Sequence, residues 1–179
     1  MFVKSYVALI RGINVGGKNS LPMKELVALF QSHGYRNVQT YIQSGNIVLE
    51  SNKDLGVEDS RIIGKLILEK KGFEPRVMFI GEPAFQSAIE ENPFPTNIGK
   101  ALHFFFLESQ PQKPDLERLQ SLKAESERFE LGNFGFYLHA PDGLGRSKLG
   151  AAVEKSLGVA VTARNWNTVD KLASMLKSA

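Results

Sequence analysis

The chain has 179 residues, of which 42% are hydrophobic and 23% are charged. These fractions are close to globular averages, which argues against disorder and favours one compact domain or two small ones. The absence of cysteine excludes disulfide bonds, cysteine-ligated metal centres and a thiol nucleophile. A net charge of +3 and a pI near 9.1 permit an anionic partner without requiring one.

Membrane insertion and export are not expected. No apolar stretch approaches the roughly 20 residues of a membrane helix. The N-terminal apolar segment is short, is interrupted by Arg11 and lacks a small-residue cleavage site, so it does not resemble a signal peptide. We therefore expect a cytoplasmic protein that does not bind membranes. The three histidines stand apart without metal-ligand spacing, and we expect neither a metal nor a cofactor.

The first half of the chain predicts the order βαββαβ. Apolar residues at helical spacing after Met23 predict an amphipathic helix, with Ser20 as its N-terminal cap. Ser44-Gly45 between two strand patterns is typical of a hairpin turn. In chain order we predict a strand over 3–10, a helix from Met23 that stops at Gly34, strands over 37–43 and 46–51, a helix ending at Gly72 and a strand over 75–80.

The same order recurs in the second half, with a hairpin at Gly132-Asn133 and a further helix at the C-terminus. Two βαββαβ patterns predict an α+β protein of two tandem ferredoxin-like units with antiparallel sheets, plus that C-terminal helix. We predict a first unit over residues 1–81, a connector with a short helix over 82–100, and a second unit with the C-terminal helix over 101–179.

This topology predicts that two polar segments lie side by side. In a βαββαβ unit the first strand ends at the same sheet edge as the turn between the second and third strands. Because neighbouring strands are about 4.8 Å apart, the loop Arg11–Asn19 and the turn Gln43–Asn46 can share one pocket.

The loop also approaches a nucleotide-binding signature. Gly12 to Lys18 fits G-x-x-x-x-G-K, but Asn19 stands where a P-loop carries the hydroxyl that binds Mg²⁺. Pro22 places the helix start several residues too late, and a hairpin indicates an antiparallel sheet rather than the parallel sheet of P-loop enzymes. We interpret the match as chance.

A less specific hypothesis is an anion-binding site at the same loop. Glycine backbone N–H groups can converge on an anion, with basic and amide side chains around them. The alternative is that Gly16-Gly17 only permits a turn, that Asn14 only caps it, and that Ser44-Gly45 is only a hairpin. The candidate ligand-binding residues are Arg11, Asn14, Gly16, Gly17, Lys18, Gln43, Ser44 and Asn46.

A second polar cluster surrounds the single tryptophan. Arg164, Asn165 and Trp166 are further ligand-binding candidates, because the ring and the guanidinium could stack on a base. The alternative, which we favour, is that Asn165 or Asn167 caps the C-terminal helix while Trp166 packs between the two units.

Four segments carry a resemblance to a known family. They are Arg11–Gly17, Pro22-Met23, Tyr41–Asn46 and Thr162–Val169. Through them the chain resembles a bacterial family of uncharacterised proteins, domain of unknown function 1697, nearly from end to end. The resemblance implies a cytoplasmic protein with tandem ferredoxin-like units. It implies no activity and supplies no catalytic residues.

Our leading hypothesis is a protein that binds a phosphate-bearing ligand, either a nucleotide or a nucleic-acid segment. One alternative is an enzyme acting on a small anionic substrate, with Lys18 or His139 as acid or base. Another is a homo-oligomeric interaction module that uses a sheet edge or an apolar patch. The sequence identifies no catalytic residue and does not predict the oligomeric state.

Overall fold

A computed structural model describes residues 3–178 of the protein. The predicted domain bounds at residues 1 and 179, together with residue 2, lie outside this range. The elements in chain order are β1 (Lys4–Arg11), α1 (Met23–Ser32), β2 (Arg36–Tyr41), β3 (Asn46–Ser51), α2 (Val57–Lys71), β4 (Arg76–Gly81), α3 (Glu82–Glu91), β5 (Leu102–Leu107), α4 (Leu116–Leu122), β6 (Arg128–Leu131), β7 (Phe136–His139), a single 3₁₀ turn (Leu144–Arg146), α5 (Lys148–Leu157), β8 (Val161–Asn165) and α6 (Trp166–Lys177).

The chain divides into two compact units. Within the described residues, the first unit comprises residues 3–86 and 171–178, and the second comprises Ser87–Asp170. The predicted domain bounds, with a connector over 82–100, stay a prediction.

The first unit contains a sheet in the order β2-β3-β1-β4, with every neighbouring pair antiparallel. Tyr6, Ala8 and Ile10 point from β1 into a core shared with α1 and α2. Val7 and Leu9 point to the opposite face and are also fully buried. Burial on both faces explains why β1 reads as a continuous apolar run rather than an alternating one.

The second unit repeats this topology with the order β6-β7-β5-β8, again antiparallel throughout. Phe105 of β5 packs into the core that faces α4 and α5. Phe104 points to the opposite face, where its ring meets Tyr137 edge-on at 5.0 Å and stacks on Trp166 at 5.7 Å. The prediction of an α+β fold with two ferredoxin-like sheets and a C-terminal helix is confirmed.

Local details differ from the prediction at two places. Helix α1 begins at Met23, and Ser20 does not cap it, because Pro22 is the N-cap residue and makes no side-chain cap bond. Strand β2 ends at Tyr41, and residues 42–45 form a longer turn than Ser44-Gly45 alone predicts. None of the helices in residues 3–178 has the length and apolar character needed to cross a bilayer.

Candidate functional site

The loop after β1 contains a small hairpin of its own. The Lys18 backbone N–H donates to the Val15 carbonyl at 3.0 Å, and these two residues form an antiparallel bridge. Gly16 and Gly17 lie between them with φ values of 57° and 73°. Positive φ at both central positions is typical of a type I′ turn, which strongly prefers glycine or asparagine there. The hairpin holds Lys18 on the exposed surface.

Asn14 closes this loop and joins it to the β2–β3 turn. Its Oδ1 accepts the Leu21 backbone N–H at 2.7 Å, and its Nδ2 donates to the Leu21 carbonyl at 2.9 Å. The same Nδ2 donates to the Gln43 carbonyl at 2.8 Å. Both amide hydrogens of Asn14 are thus used within the chain, and its role in the structure is to hold the loop against the turn.

The turn over residues 42–45 packs directly on the end of β1. The Ile10 backbone N–H donates to the Gly45 carbonyl at 2.8 Å. Gly45 has a φ of 74°, and a Cβ there would lie 2.7 Å from the Ile10 Cβ. Asn46 is fully buried, and its Nδ2 donates to the Ser44 hydroxyl at 2.8 Å and to the Tyr41 carbonyl at 3.2 Å. These contacts explain why glycine and asparagine follow one another here.

Cationic groups lie at the rim of this loop and turn. Arg11 ends β1 and is the register partner of Arg76, the first residue of β4. Both arginines are exposed, and so is Lys18. The Lys18 ammonium has no hydrogen-bond or ion-pair partner among residues 3–178. Like charges on directly opposed strand residues repel each other. Binding of an anion at this rim stays a prediction.

The structure therefore brings the two predicted segments together, as the topology requires. Within the first cluster, Asn14, Gly16, Gly17, Ser44 and Asn46 have evident roles in holding the loop and turn. The exposed cluster members with polar or charged side chains are Arg11, Lys18 and Gln43. Ligand binding by any of these residues stays a prediction. The likeness to a P-loop ends at Lys18, because α1 begins only at Met23 and the sheet is antiparallel.

The second cluster lies in the second unit, where Asn165 and Trp166 have structural roles. The Asn165 Oδ1 accepts the Thr168 backbone N–H at 3.1 Å, which caps the start of α6. Trp166 stacks on Phe104. The Asn165 contact matches the alternative in which asparagine caps the helix. Packing of Trp166 between the two units stays a prediction.

Arg164 also makes a contact within the chain. Its Nη1 donates to the Ala163 carbonyl at 2.8 Å, and burial lowers the pKa of its guanidinium to about 10. It remains a candidate for binding, but desolvation has already reduced the stability of its charged form.

The acid–base alternative, with Lys18 or His139 as acid or base, stays a prediction. Burial and the charge of Arg128 lower the pKa of His139, whose ring lies 6.2 Å from that of Phe94. Burial lowers the pKa of His103, although a hydrogen bond with the Lys100 backbone opposes this shift. Lys18 stands exposed on a turn. Among residues 3–178, no group of three or more histidine, aspartate or glutamate side chains is arranged to hold a metal ion.

Two residues of this site, Arg76 and Ile42, were not predicted from the sequence. Arg76 could have been found from topology, since β4 begins beside the end of β1. Ile42 reads as part of a strand, yet it lies in the turn with a φ of 50° and 52% of its surface exposed. Only the folded backbone shows this, because isoleucine strongly disfavours positive φ.

Comparison with known proteins assigns a family. The chain shares its fold with the conserved bacterial protein SP0830 from Streptococcus pneumoniae, with a TM-score of 0.73 and 24% sequence identity over 98% of this chain and 99% of that chain. A comparison with curated proteins gives no match. The family described as "Protein of unknown function (DUF1697)" matches residues 3–137, well over half of the chain. The protein therefore belongs to the DUF1697 family.

Proposed function

We propose that this protein binds a phosphate-bearing ligand, a nucleotide or a nucleic-acid segment, at the edge formed by the β1–α1 loop and the β2–β3 turn. We place this activity in the cytoplasm. The observation that carries the proposal is Lys18, an exposed ammonium without a partner among residues 3–178, held on a hairpin that Asn14 ties to the turn. Phosphate oxygens form strong charge-assisted hydrogen bonds with such a group.

The rigidity of the loop supports binding. The Asn14 side chain spans Leu21 and Gln43, and the Asn19 Nδ2 donates to the Gly12 carbonyl at 2.9 Å. Because these hydrogen bonds exist before a ligand arrives, little conformational entropy is lost when it binds. In this proposal the amide side chains hold the loop in place, and the cationic side chains bind the ligand.

The residue types present favour binding over catalysis. Neither the loop 11–22 nor the turn 42–46 contains aspartate, glutamate or histidine. These are the side chains most often used as general acids and bases, so the residue types of the two segments favour binding of charge over proton transfer. Their absence from both segments also removes local repulsion of an anion.

A thermal-shift panel of nucleotides, phosphosugars and short oligonucleotides tests the proposal. A ligand present at 100 times its Kd should stabilise the wild-type protein by about 2.7 kcal/mol. Lys18→Ala should remove most of this gain. The matched control is Lys65→Ala, because Lys65 is an exposed lysine of α2 in the same unit with no partner among residues 3–178.

Two outcomes would overturn the proposal. One is a panel in which no compound stabilises the wild-type protein. The other is a ligand whose stabilisation is equally large in Lys18→Ala and Lys65→Ala. For an oligonucleotide, binding should also weaken as salt rises, because contact with phosphates releases counterions.

A further inference from the structure

Two apolar side chains are exposed within the proposed site. Val15 is 66% exposed on the loop hairpin, and Ile42 is 52% exposed on the turn. Each is the immediate neighbour of a residue in the bond that joins the two segments, Asn14 Nδ2 to the Gln43 carbonyl at 2.8 Å. Val15 and Ile42 are thus each one residue away from the hydrogen bond that ties the hairpin of Lys18 to the turn.

Val15 and Lys18 are opposed across the hairpin, where they form an antiparallel bridge. Opposed residues of an antiparallel pair place their side chains on the same face. A ligand whose phosphate contacts Lys18 therefore has Val15 beside it.

Ile42 is the second apolar group, and its backbone is strained. With a φ of 50° it is the one apolar residue among the non-glycine residues in the described chain with positive φ, the others being Asn14, Asn19 and Asn37. Asparagine tolerates this conformation, whereas a β-branched residue does so poorly. Because Ile42 is exposed, burial in the core does not offset the strain. Backbone strain of this kind is concentrated at ligand-binding sites.

We infer that Val15 and Ile42 form an apolar platform for the base of a nucleoside phosphate, with its phosphate on Lys18. This inference rests on the proposed function and narrows its ligand class. A base offers a flat, weakly hydrated face that gains from covering aliphatic carbon, while a sugar phosphate carries hydroxyl groups and gains nothing there. Two side chains form a small surface compared with the roughly 800 Å² per partner of a stable protein interface.

Calorimetric titration with AMP, ribose 5-phosphate and inorganic phosphate tests the inference. The wild-type protein should bind AMP about tenfold more tightly than ribose 5-phosphate, a factor typical of one small apolar contact surface. Val15→Ser and Ile42→Asn should each reduce this preference severalfold without changing the affinity for ribose 5-phosphate. Leu68→Asn, at an exposed leucine of α2 in the same unit, should leave the preference unchanged.

Ile42→Asn should change stability and ligand preference in opposite directions. Asparagine relieves the backbone strain, so the melting temperature should rise while the preference for AMP falls. A role in structure alone would raise the melting temperature and leave the preference intact.

The possible results separate the inference from the proposed function. Equal, Lys18-dependent affinity for AMP and ribose 5-phosphate overturns the inference and leaves the proposed function standing. If no phosphate compound binds, both fail. If Val15→Ser or Ile42→Asn abolishes self-association in sedimentation but not the preference for AMP, the surface is a protein interface and the inference is wrong.

Discussion

The β2–β3 turn of the first unit and the β6–β7 turn of the second hold equivalent positions in two sheets of the same topology. In the first, Asn14 of the β1–α1 loop donates to the Gln43 carbonyl. In the second, Gln110 of the β5–α4 loop donates to the Asn133 carbonyl. The carbonyl belongs in both cases to the second residue of a four-residue turn. The shared topology therefore reproduces the same loop-to-turn contact with different amide side chains.

The two turns differ in charge. In the second unit the Glu91 carboxylate accepts the backbone N–H of Asn133 at 2.7 Å and that of Phe134 at 2.9 Å. It also accepts the Tyr137 hydroxyl at 3.1 Å. The second turn thus binds a carboxylate of α3, whereas the first is flanked by the cations of its loop. This difference supports placing the proposed anion site at the first turn rather than the second.

The largest effect on the free energy of unfolding should come from adding a methyl group at the fourth residue of each turn, Gly45 in the first unit and Gly135 in the second. Gly45→Ala places a Cβ 2.9 Å from the Ile10 carbonyl oxygen at a φ of 74°, and should destabilise the protein by about 3–4 kcal/mol. At Gly135 the nearest atom, the Phe105 carbonyl oxygen, is 3.3 Å away, so Gly135→Ala should cost about 1 kcal/mol. Urea denaturation of both variants measures the difference, and equal losses would contradict the comparison.

Removing the Glu91 carboxylate should have the next largest effect on the free energy of unfolding. Glu91→Ala leaves the amides of Asn133 and Phe134 and the Tyr137 hydroxyl without this acceptor, and should cost about 2–3 kcal/mol. Glu91→Gln retains the shape and should cost less.

The Glu91 contribution should also depend on pH. Burial raises the pKa of its carboxyl, but the hydrogen bonds from Phe134, Asn133 and Tyr137 outweigh burial and hold that pKa below its usual range. A lowered folded-state pKa means that the contribution is complete above the unfolded-state pKa and is lost as the pH falls through the folded-state pKa. The stability gap between wild type and Glu91→Gln should narrow in acid, and a constant gap from pH 7 to pH 3 would refute this account.

Deleting the loop-to-turn amides should show how far the two units depend on them. Asn14→Ala removes three hydrogen bonds, two of them to Leu21 and one to Gln43, and should cost about 2 kcal/mol. Gln110→Ala removes one exposed bond to Asn133 and should cost about 0.5 kcal/mol. Asn14→Gly separates lost hydrogen bonds from backbone strain at φ 54°, and a cost as small as that of Gln110→Ala would argue against a pinned loop.

The smallest effect on stability should come from Lys18. Its ammonium has no partner among residues 3–178, so Lys18→Ala should leave the free energy of unfolding unchanged within error. The same variant should lose phosphate binding. A marked loss of stability would show that Lys18 supports the fold rather than a ligand.

Much of the architecture could be predicted because it depends on local patterns. An apolar run that follows turn-forming residues predicted β3 at 46–51. The βαββαβ order was enough to place the Arg11–Asn19 loop beside the Gln43–Asn46 turn. Helix caps were less predictable. Ser20 does not cap α1, because the chain reaches that helix through Pro22. The serine that does cap a helix is Ser147, whose Oγ accepts the Gly150 backbone N–H at 2.8 Å at the start of α5.

The sequence by itself determined the topology of both sheets and the concentration of basic and amide residues at one sheet edge, since strand order and connection length follow from periodicity along the chain. Only the tertiary structure decided what each polar group does. Asn14 and Asn46 use their amides on carbonyls and a hydroxyl that folding brings within reach, while Lys18 remains exposed. The partner of a polar group depends on which donors and acceptors the folded backbone brings within hydrogen-bond distance. Local sequence patterns do not give the distance between segments that are far apart in the chain.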